Sequence, residues 1–353
     1  MAICPVKISL DAMGGDSAPE SVIGGMVEYL SRDENVFFDI YGDSDRIAGC
    51  LEKYKLEKYK IDAELYRIHH TSKIISAAQK PSHALRYGKD SSMFEAVNSV
   101  AIGLSDVVVS AGNTGAYMAI SKFLLKTVDN IERPALTALV PNRYGGQALM
   151  LDLGANIDCS FRNLVEFAIM GRSAAKVIIG LENPRVAILN VGTEVTKGTD
   201  HIKKAYEVLS ADNTINFIGY IEGINISNNV ADVIVTDGFS GNIALKCMEG
   251  AIMLTLKLYE QAVKSSLLGK ISYIIGKGAL KKLKNVIDPG KLNGASLVGL
   301  QRIAVKSHGS ANASSFASAI SVAVKLHKAN FIEDIIGSLS SRLPEIEKWT
   351  KEA

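Results

Sequence analysis

Two short segments of the chain combine small, hydroxyl and glycine residues in the same order. Residues 106–116 have the sequence DVVVSAGNTGA, and residues 232–242 have the sequence DVIVTDGFSGN, 126 residues later. Both fit D-V-x-V-[Ser/Thr]-x-Gly-x-[Ser/Thr]-Gly. A glycine-rich turn between a buried strand and a helix presents backbone N–H groups and the positive end of the helix dipole, which bind anions. The repeat predicts two anion-binding loops facing one cleft; the alternative is two ordinary turns of an α/β protein.

Several residues of these loops could donate hydrogen bonds to a phosphate or an oxyanion. They are Ser110, Asn113, Thr114, Gly115, Ser240, Gly241 and Asn242. Lys197, in a loop rich in glycine and threonine, is the preferred cation for stabilising negative charge, the alternative being an ordinary exposed lysine. His308 could protonate a leaving group or bond within its own loop. Asp237 could orient a lysine or a backbone amide, or be a simple turn residue.

Apolar, β-branched runs alternate with segments of helical periodicity along most of the chain. This order predicts a three-layer α/β/α protein with a mostly parallel sheet, whose ligands bind beyond the carboxyl ends of the strands. Polar loops follow five of the predicted strands, at residues 11–16, 110–115, 192–200, 236–242 and 307–312. Residues 133–153 predict an antiparallel hairpin in a second lobe or a dimer interface, and residues 71–90 predict a loop or lid.

Composition and missing motifs exclude several classes of protein. The net charge of +2 does not indicate nucleic acid. The four cysteines lie far apart, which predicts neither a zinc site nor a disulfide framework and favours a reducing cytoplasm. The sequence shows no secretory leader and no apolar run of ~20 residues. It also contains neither G-x-G-x-x-G nor G-x-x-x-x-G-K-[ST]. We therefore expect no metal and no cofactor.

A basic amphipathic segment covers residues 261–287, which contain six lysines and no carboxylate. Its apolar residues recur every three or four positions, which predicts a projecting helical hairpin within a single domain of residues 1–353. The residues predicted to touch a membrane or a carrier protein are Leu267, Leu268, Lys270, Ile271, Ile274, Ile275, Lys277 and Lys281. Lysines would attract an acidic carrier protein, whereas interleaved apolar residues suit an anionic bilayer. A core helix with a solvated lysine face is the third interpretation.

Five motifs resemble those of the bacterial phosphate acyltransferase family, which makes acyl phosphate for phospholipid synthesis. They are the DAMGGD, SAGNTGA, LDLGAN, VTDGFSGN and KSHGSA sequences that begin at residues 11, 110, 151, 235 and 306. The resemblance runs in order from residue 6 to about residue 330. It implies a fold similar to phosphotransacetylases and isopropylmalate dehydrogenases, and a homodimer.

The resemblance also implies a reaction in which inorganic phosphate attacks the thioester of long-chain acyl carrier protein. The dispersed cysteines and the basic segment predict a cytoplasmic enzyme at the membrane surface, where a labile acyl phosphate is released beside the downstream glycerol-3-phosphate acyltransferase, with no nucleic acid partner. Two alternatives stay open. One is a phosphotransacetylase acting on acyl-CoA, which would not need the basic segment. The other is a non-catalytic peripheral membrane lipid sensor.

Overall fold

The central strands come from apolar runs that have no polar face. The computed structural model describes residues 5–32, 35–54, 62–266, 273, 276, 278 and 293–340. In it, all four residues of the 107–110 run are buried, as is typical of a parallel strand covered on both faces. The strands are β1 (Val6–Asp11), β2 (Val36–Gly42), β3 (Tyr66–His70), β4 (Val107–Ser110), β5 (Ala135–Pro141), β6 (Gln147–Leu151), β7 (Val186–Leu189), β8 (Phe217–Ile221), β9 (Val233–Val235), β10 (Ala295–Val298) and β11 (Ile303–Lys306).

Helices connect most of these strands. In the described residues they are α1 (Glu20–Leu30), α2 (Ser44–Tyr54), α3 (Pro81–Tyr87), α4 (Ser92–Ala101), α5 (Thr114–Leu125), α6 (Phe161–Ile178), α7 (Asp200–Ala211), α8 (Gly238–Lys264), α9 (Ala313–Lys328) and α10 (Phe331–Ser340). Polar side chains cap many of them: Asn113, Asp237 and Asn312 accept a backbone N–H in the first turn of α5, α8 and α9.

The eleven described strands form one sheet in the order β3-β2-β1-β4-β11-β10-β5-β6-β9-β7-β8. The first five are parallel to one another, and so are the last four. Between these two groups, β10 is antiparallel to β11 and β5, and β5 is antiparallel to β6. The groups therefore run in opposite directions. The predicted α/β fold with a mostly parallel sheet is confirmed.

Alternate residues of each strand enter different apolar clusters on the two faces of the sheet. In β4, Val107 and Val109 join one cluster, whereas Val108 joins the other. Successive side chains of a strand point to opposite faces, so the sheet has a core on each side. Two packed faces hold the strand ends, and therefore the loops that follow them, in fixed positions.

Two sequence-based expectations need correction. The hairpin of β5 and β6, which turns at Arg143–Gly146, lies in the middle of the sheet and joins its two parallel groups. It is part of the central fold because β10 and β9 supply hydrogen-bonding partners on its two outer edges. Residues 71–90 are not simply a loop, since they contain the helix α3 with proline in its first turn.

Most of the basic amphipathic segment lies outside the described residues. This applies to all eight positions predicted to touch a membrane or carrier protein: Leu267, Leu268, Lys270, Ile271, Ile274, Ile275, Lys277 and Lys281. The hairpin, its projection from a single domain and the homodimer stay predictions. Among the described residues, no helix is both long enough and apolar enough to span a bilayer.

Candidate active site

A cavity of about 790 Å³ lies beside the strands at the centre of the sheet. Its walls include the N-terminal turns of α5 and α8 and the loops that follow β6 and β11. The polar and charged lining residues are Thr114, Lys122, Asn156, Asn242, Lys246, Glu249, Asn293, Lys306, Ser307 and His308. The repeated loops border this one cavity through Thr114 and Gly115 of the first and Asn242 of the second. Their predicted convergence is confirmed.

Three strand ends lie side by side beneath the polar end of the cavity. Asp11, Ser110 and Lys306 occupy matching positions on the adjacent parallel strands β1, β4 and β11. The Ser307 N–H donates to the carbonyl of Ser110 at 2.8 Å, which joins the loop after β11 to the loop after β4. Carboxyl ends of parallel strands are where α/β proteins bind ligands, and residues distant in sequence meet here.

Asp11 is the buried acceptor that fixes the first loop. Its side chain is almost fully enclosed, and the hydroxyls of Ser92 and Ser110 each donate to it at 2.6 Å. Burial raises the pKa of Asp11, against the opposing effects of these hydrogen bonds and of Lys306. The Ser110 hydroxyl also accepts from the Gly112 N–H at 3.0 Å. The Ser110 side chain therefore supports the loop from below, and Ser110 does not line the cavity.

Asn113 joins the first loop to the segment before α3. Its Oδ1 accepts from the Ala116 N–H at 3.0 Å and caps α5. Its Nδ2 donates to the carbonyls of Ala77 and Gln79 at 2.8 and 2.9 Å. With both ends of the side chain used, Asn113 positions the loop and is not a lining residue. The N–H groups of Thr114 and Gly115, in the first turn, lack an intrahelical acceptor and are the donors that this loop offers to an anion.

The second loop differs from the first in how its donors are used. The Asp237 carboxylate accepts from the backbone N–H and the hydroxyl of Ser240, at 2.7 and 2.9 Å. The Gly241 N–H donates to the Asp237 carbonyl at 2.9 Å, and the Gly238 N–H donates to the Asn156 carbonyl at 2.8 Å. Asp237 therefore orients a backbone amide as predicted, by capping α8, while its catalytic role stays a prediction. Of this loop, Asn242 lines the cavity.

Gly241 is required by close backbone packing. A Cβ atom added here would lie 2.0 Å from the Asp152 carbonyl oxygen. We expect Gly241→Ala to reduce the free energy of unfolding by about 2–3 kcal/mol, measured by urea denaturation, because buried backbone must move. Gly250→Ala in the same helix is the control, since a Cβ there meets nothing within 4 Å. It should stabilise the protein by about 0.5–1 kcal/mol. Equal effects of the two substitutions would contradict the packing argument.

Lys306 is a buried cation at the polar end of the cavity, and its sequence motif alone did not mark it as a catalytic group. It is 6% exposed, lines the cavity, and its ammonium donates to the carbonyl of Ser307. Burial lowers its pKa to about 8, although Asp11 and Asp16 act in the opposite direction. At pH 7 most Lys306 side chains therefore still carry a positive charge, which is poorly solvated and available to an anion.

His308 lies two residues further along and also lines the cavity. Its Nδ1 accepts from the Ser310 N–H at 3.2 Å and contacts the Ser310 hydroxyl at 2.8 Å. The backbone bond requires Nδ1 to be unprotonated, so the neutral ring carries its proton on Nε2. Partial burial, followed by the charge of Lys246, lowers the pKa of His308. The ring is therefore mainly neutral at pH 7 and can donate a hydrogen bond from Nε2.

Lys197 does not share this environment. It is exposed, and it is not among the residues that line the cavity. Its backbone N–H donates to the Glu194 carbonyl, and its carbonyl accepts from Asn190 Nδ2 at 3.2 Å. The loop containing it follows β7, which β9 separates from β6. Its proposed role as the catalytic cation stays a prediction, and Lys306 is better placed for that role.

Comparison with known proteins identifies the family. The family described as "Fatty acid synthesis protein" matches residues 6–334. The phosphate acyltransferase of Paramagnetospirillum magneticum is 45% identical over 322 residues, which cover 91% of this chain and 90% of the relative. That of Ehrlichia canis is 44% identical over 338 residues, covering 95% and 99%. The chain belongs to this family. The resemblance seen in the sequence motifs is confirmed.

Solved structures confirm the fold. A phosphotransacetylase from Streptococcus pyogenes matches with a TM-score of 0.61 and 18% identity, covering 92% of this chain and 94% of that one. A branched-chain phosphotransacylase from Enterococcus faecalis matches with a TM-score of 0.57 and 14% identity, covering 91% and 99%. At such low identity the similarity concerns the fold alone. The expected fold of the phosphotransacetylase type is therefore confirmed.

Proposed function

We propose that this family member transfers a long-chain acyl group from the thioester of acyl carrier protein to inorganic phosphate. The observation that supports it most is the composition of the cavity. Lys306, His308 and the helix N–H groups line the cavity together with apolar side chains of α5, α8 and β5, and its other charged lining groups are Lys122 and the Lys246–Glu249 ion pair. Acyl phosphate likewise combines a charged head and an apolar chain. The relatives named phosphate acyltransferase point to the same chemistry.

Phosphate would bind between Lys306 and the first turn of α5. The ammonium supplies charge, and the N–H groups of Thr114 and Gly115 supply directed donors at the positive end of the helix dipole. A bound phosphate oxygen attacks the thioester carbonyl carbon, and the carbonyl oxygen takes the negative charge. Orienting two reactants in this way can lower the activation free energy by ~7–11 kcal/mol.

The tetrahedral intermediate then collapses. The carbon–sulfur bond breaks, acyl phosphate is formed, and the carrier sulfur leaves with the proton that phosphate brought. Nε2–H of His308 is a donor for the oxyanion or for the departing sulfur. Because the ring of His308 is mainly neutral, it acts better as a hydrogen-bond donor than as a strong acid. A thiol has a pKa of about 8.5 and is an adequate leaving group.

The direct test incubates the purified protein with hexadecanoyl carrier protein and inorganic phosphate. We expect free carrier thiol and hexadecanoyl phosphate in equal amounts, with a rate that depends on phosphate. Replacing phosphate by sulfate is the control, because it keeps the ionic strength without a phosphate nucleophile. Thiol release without acyl phosphate would indicate hydrolysis. The absence of both would favour the non-catalytic lipid sensor.

The same assay tests whether acyl-CoA, rather than acyl carrier protein, is the preferred acyl donor. Phosphotransacetylases share this fold, so a thioester of coenzyme A is the natural competitor. We expect a higher kcat/KM with the carrier protein, since the sequence of residues 261–287 favours an acidic or membrane partner. Homodimer formation, a cytoplasmic location with peripheral membrane association, and proximity to a glycerol-3-phosphate acyltransferase belong to this proposal. They rest on the sequence and the resemblance.

A further inference from the structure

The two helices that flank the cavity run in opposite directions over one face of the sheet. The helix α5 follows β4 and the helix α8 follows β9, and these two strands belong to the parallel groups of opposite direction. Ala116 of α5 and Leu245 of α8 pack in the same apolar cluster, so both helices lie on that face. The helix α5 therefore begins at the end of the cavity where Lys306 lies, whereas α8 begins at the other end and runs toward it.

Strand pairing gives the level of the proposed phosphate site along the sheet. Lys306 pairs with the first residue of β10, which the register of β10 with β5 places opposite Ala138. Asp152, just after β6, is level with Leu136, whose N–H donates to its Oδ1 at 2.8 Å. Lys306 therefore lies two residues of β5, or ~7 Å, from the level of Asp152, and His308 lies up to about twice as far.

The middle of α8 reaches the same level. The helix passes Asp152 at Gly241, because a Cβ added to Gly241 would lie 2.0 Å from the Asp152 carbonyl oxygen. Lys246 and Glu249 are five and eight residues further along the helix, which corresponds to ~8 and ~12 Å. Both residues line the cavity. They are therefore carried on the wall opposite α5, at about the level of Lys306 and of the loop that follows it.

Lys246 and Glu249 form an ion pair whose carboxylate has an unused oxygen. Lys246 Nζ donates to Glu249 Oε2 at 2.8 Å, and the Glu249 side chain is partly exposed. Glu249 Oε1 makes no hydrogen bond to the part of the chain that the structure describes. After burial, Lys246 is the next cause that lowers the pKa of His308, and Glu249 opposes it; both act more strongly than Lys306. Because Coulomb interactions weaken with distance, this agrees with a position of the pair beside the ring.

A carboxylate in an anion site distinguishes anions by the protons that they carry. At neutral pH every form of inorganic phosphate has at least one O–H group, whereas sulfate has none. An O–H group can donate a hydrogen bond to the carboxylate, but an unprotonated oxygen in the same place meets a like charge. A site that pairs with a substrate O–H can reject an analogue lacking it by ~10⁴-fold. A carboxylate here therefore favours phosphate.

We propose that Glu249, held by Lys246, accepts a hydrogen bond from the O–H of the phosphate bound beside Lys306, and that this contact selects phosphate over sulfate. The inference rests on the proposed function and adds a residue that determines its specificity. Lys246 balances the charge of the carboxylate, so an anion can approach the pair. The proton stays on phosphate until the departing sulfur takes it, and Glu249 acts only as an acceptor.

The experiment measures sulfate as an inhibitor that competes with phosphate. The ratio of the Ki for sulfate to the KM for phosphate should be at least about 10-fold lower in Glu249→Gln than in the wild type. Glutamine keeps the shape of the side chain and supplies an N–H donor to sulfate. Glu260→Gln is the matched control, because Glu260 lies about three turns further along α8, also pairs with a lysine, and is not among the residues that line the cavity. Its ratio should equal that of the wild type.

Calorimetric titration with phosphate and with sulfate, in the absence of an acyl donor, separates the two proposals. A wild-type protein that prefers phosphate but forms no acyl phosphate from it overturns the proposed function and supports the Glu249 contact. An unchanged preference in Glu249→Gln, or an equal change in Glu260→Gln, overturns the contact alone. Glu249→Ala is the second variant if the glutamine variant does not fold. It removes the acceptor and should narrow the preference as well, and an unchanged preference would contradict the contact.

Discussion

Replacing Lys306 with methionine is expected to lower kcat/KM for phosphate at least about 100-fold. Methionine keeps much of the side-chain volume and removes the charge beside which phosphate is proposed to bind. The loss of the buried ammonium should not leave the Asp11 carboxylate without partners, because the hydroxyls of Ser92 and Ser110 still donate to it. Steady-state kinetics with varied phosphate measures the effect, and circular dichroism checks the fold.

Lys197→Ala is the comparison that decides between the two lysines. The sequence alone favoured Lys197 as the cation that stabilises negative charge. Because Lys197 is exposed and does not line the cavity, we now expect the Lys306 variant to lose much more activity. If the Lys197 variant shows the large loss and Lys306→Met stays close to wild type, Lys306 is only a support for Asp11.

The pH dependence of the reaction rate provides a second test of the charge on Lys306. Burial lowers its pKa to about 8, and lysine is positively charged only below its pKa. The wild-type rate should therefore fall as the pH rises through about 8. In Lys306→Arg that decline should move to higher pH, because a guanidinium stays charged. If the rate of the arginine variant falls at the same pH as that of the wild type, a group other than residue 306 causes the decline.

Replacing His308 with alanine is expected to lower kcat about 100-fold with a smaller effect on the KM for phosphate. The Nε2–H donor acts on charge that develops at the thioester, which is absent from the ground state. His308→Gln retains an N–H donor and should recover part of the loss, whereas a merely structural role would not be rescued in this way. His201→Ala, at an exposed position in α7, is the control and should keep wild-type kinetics.

The pKa of His308 predicts a distinct pH effect. Partial burial and the nearby Lys246 lower it below the ordinary value of 6.5. The neutral ring is then present throughout the neutral range and is lost only when the pH falls through that lowered pKa. On acidification below pH 6.5 the rate of the wild type should fall further than that of His308→Gln, because protonation of the phosphate nucleophile slows both proteins whereas protonation of His308 slows only the wild type. If the rate falls equally in both proteins at acidic pH, protonation of His308 does not affect the reaction.

Local pattern in the sequence was sufficient for the fold class and for the position of the cleft. The run before Ser110 is buried on both faces, and the glycine-rich turn that follows opens a helix, as the composition predicted. The repeated motif also located both walls of the cavity. Such features depend on near neighbours along the chain, where residue size, branching and hydrogen-bonding groups restrict the backbone directly. The family resemblance depended on the same motifs.

The assignment of individual roles required the tertiary structure. Ser110, Asn113 and Asp237 have the right chemistry for an anion site, yet their side chains are used to support the loops. The K-S-H-G motif contains both Lys306 and His308, but the sequence does not show that β11 pairs with β4 and brings Lys306 opposite Ser110. Burial and strand order are set by contacts between distant segments, and these contacts bring the buried Lys306 to the cavity while Lys197 stays outside it. Of the five loops predicted from the sequence, those at residues 110–115, 236–242 and 307–312 border the cavity; packing between distant strands decided which of their side chains reach it.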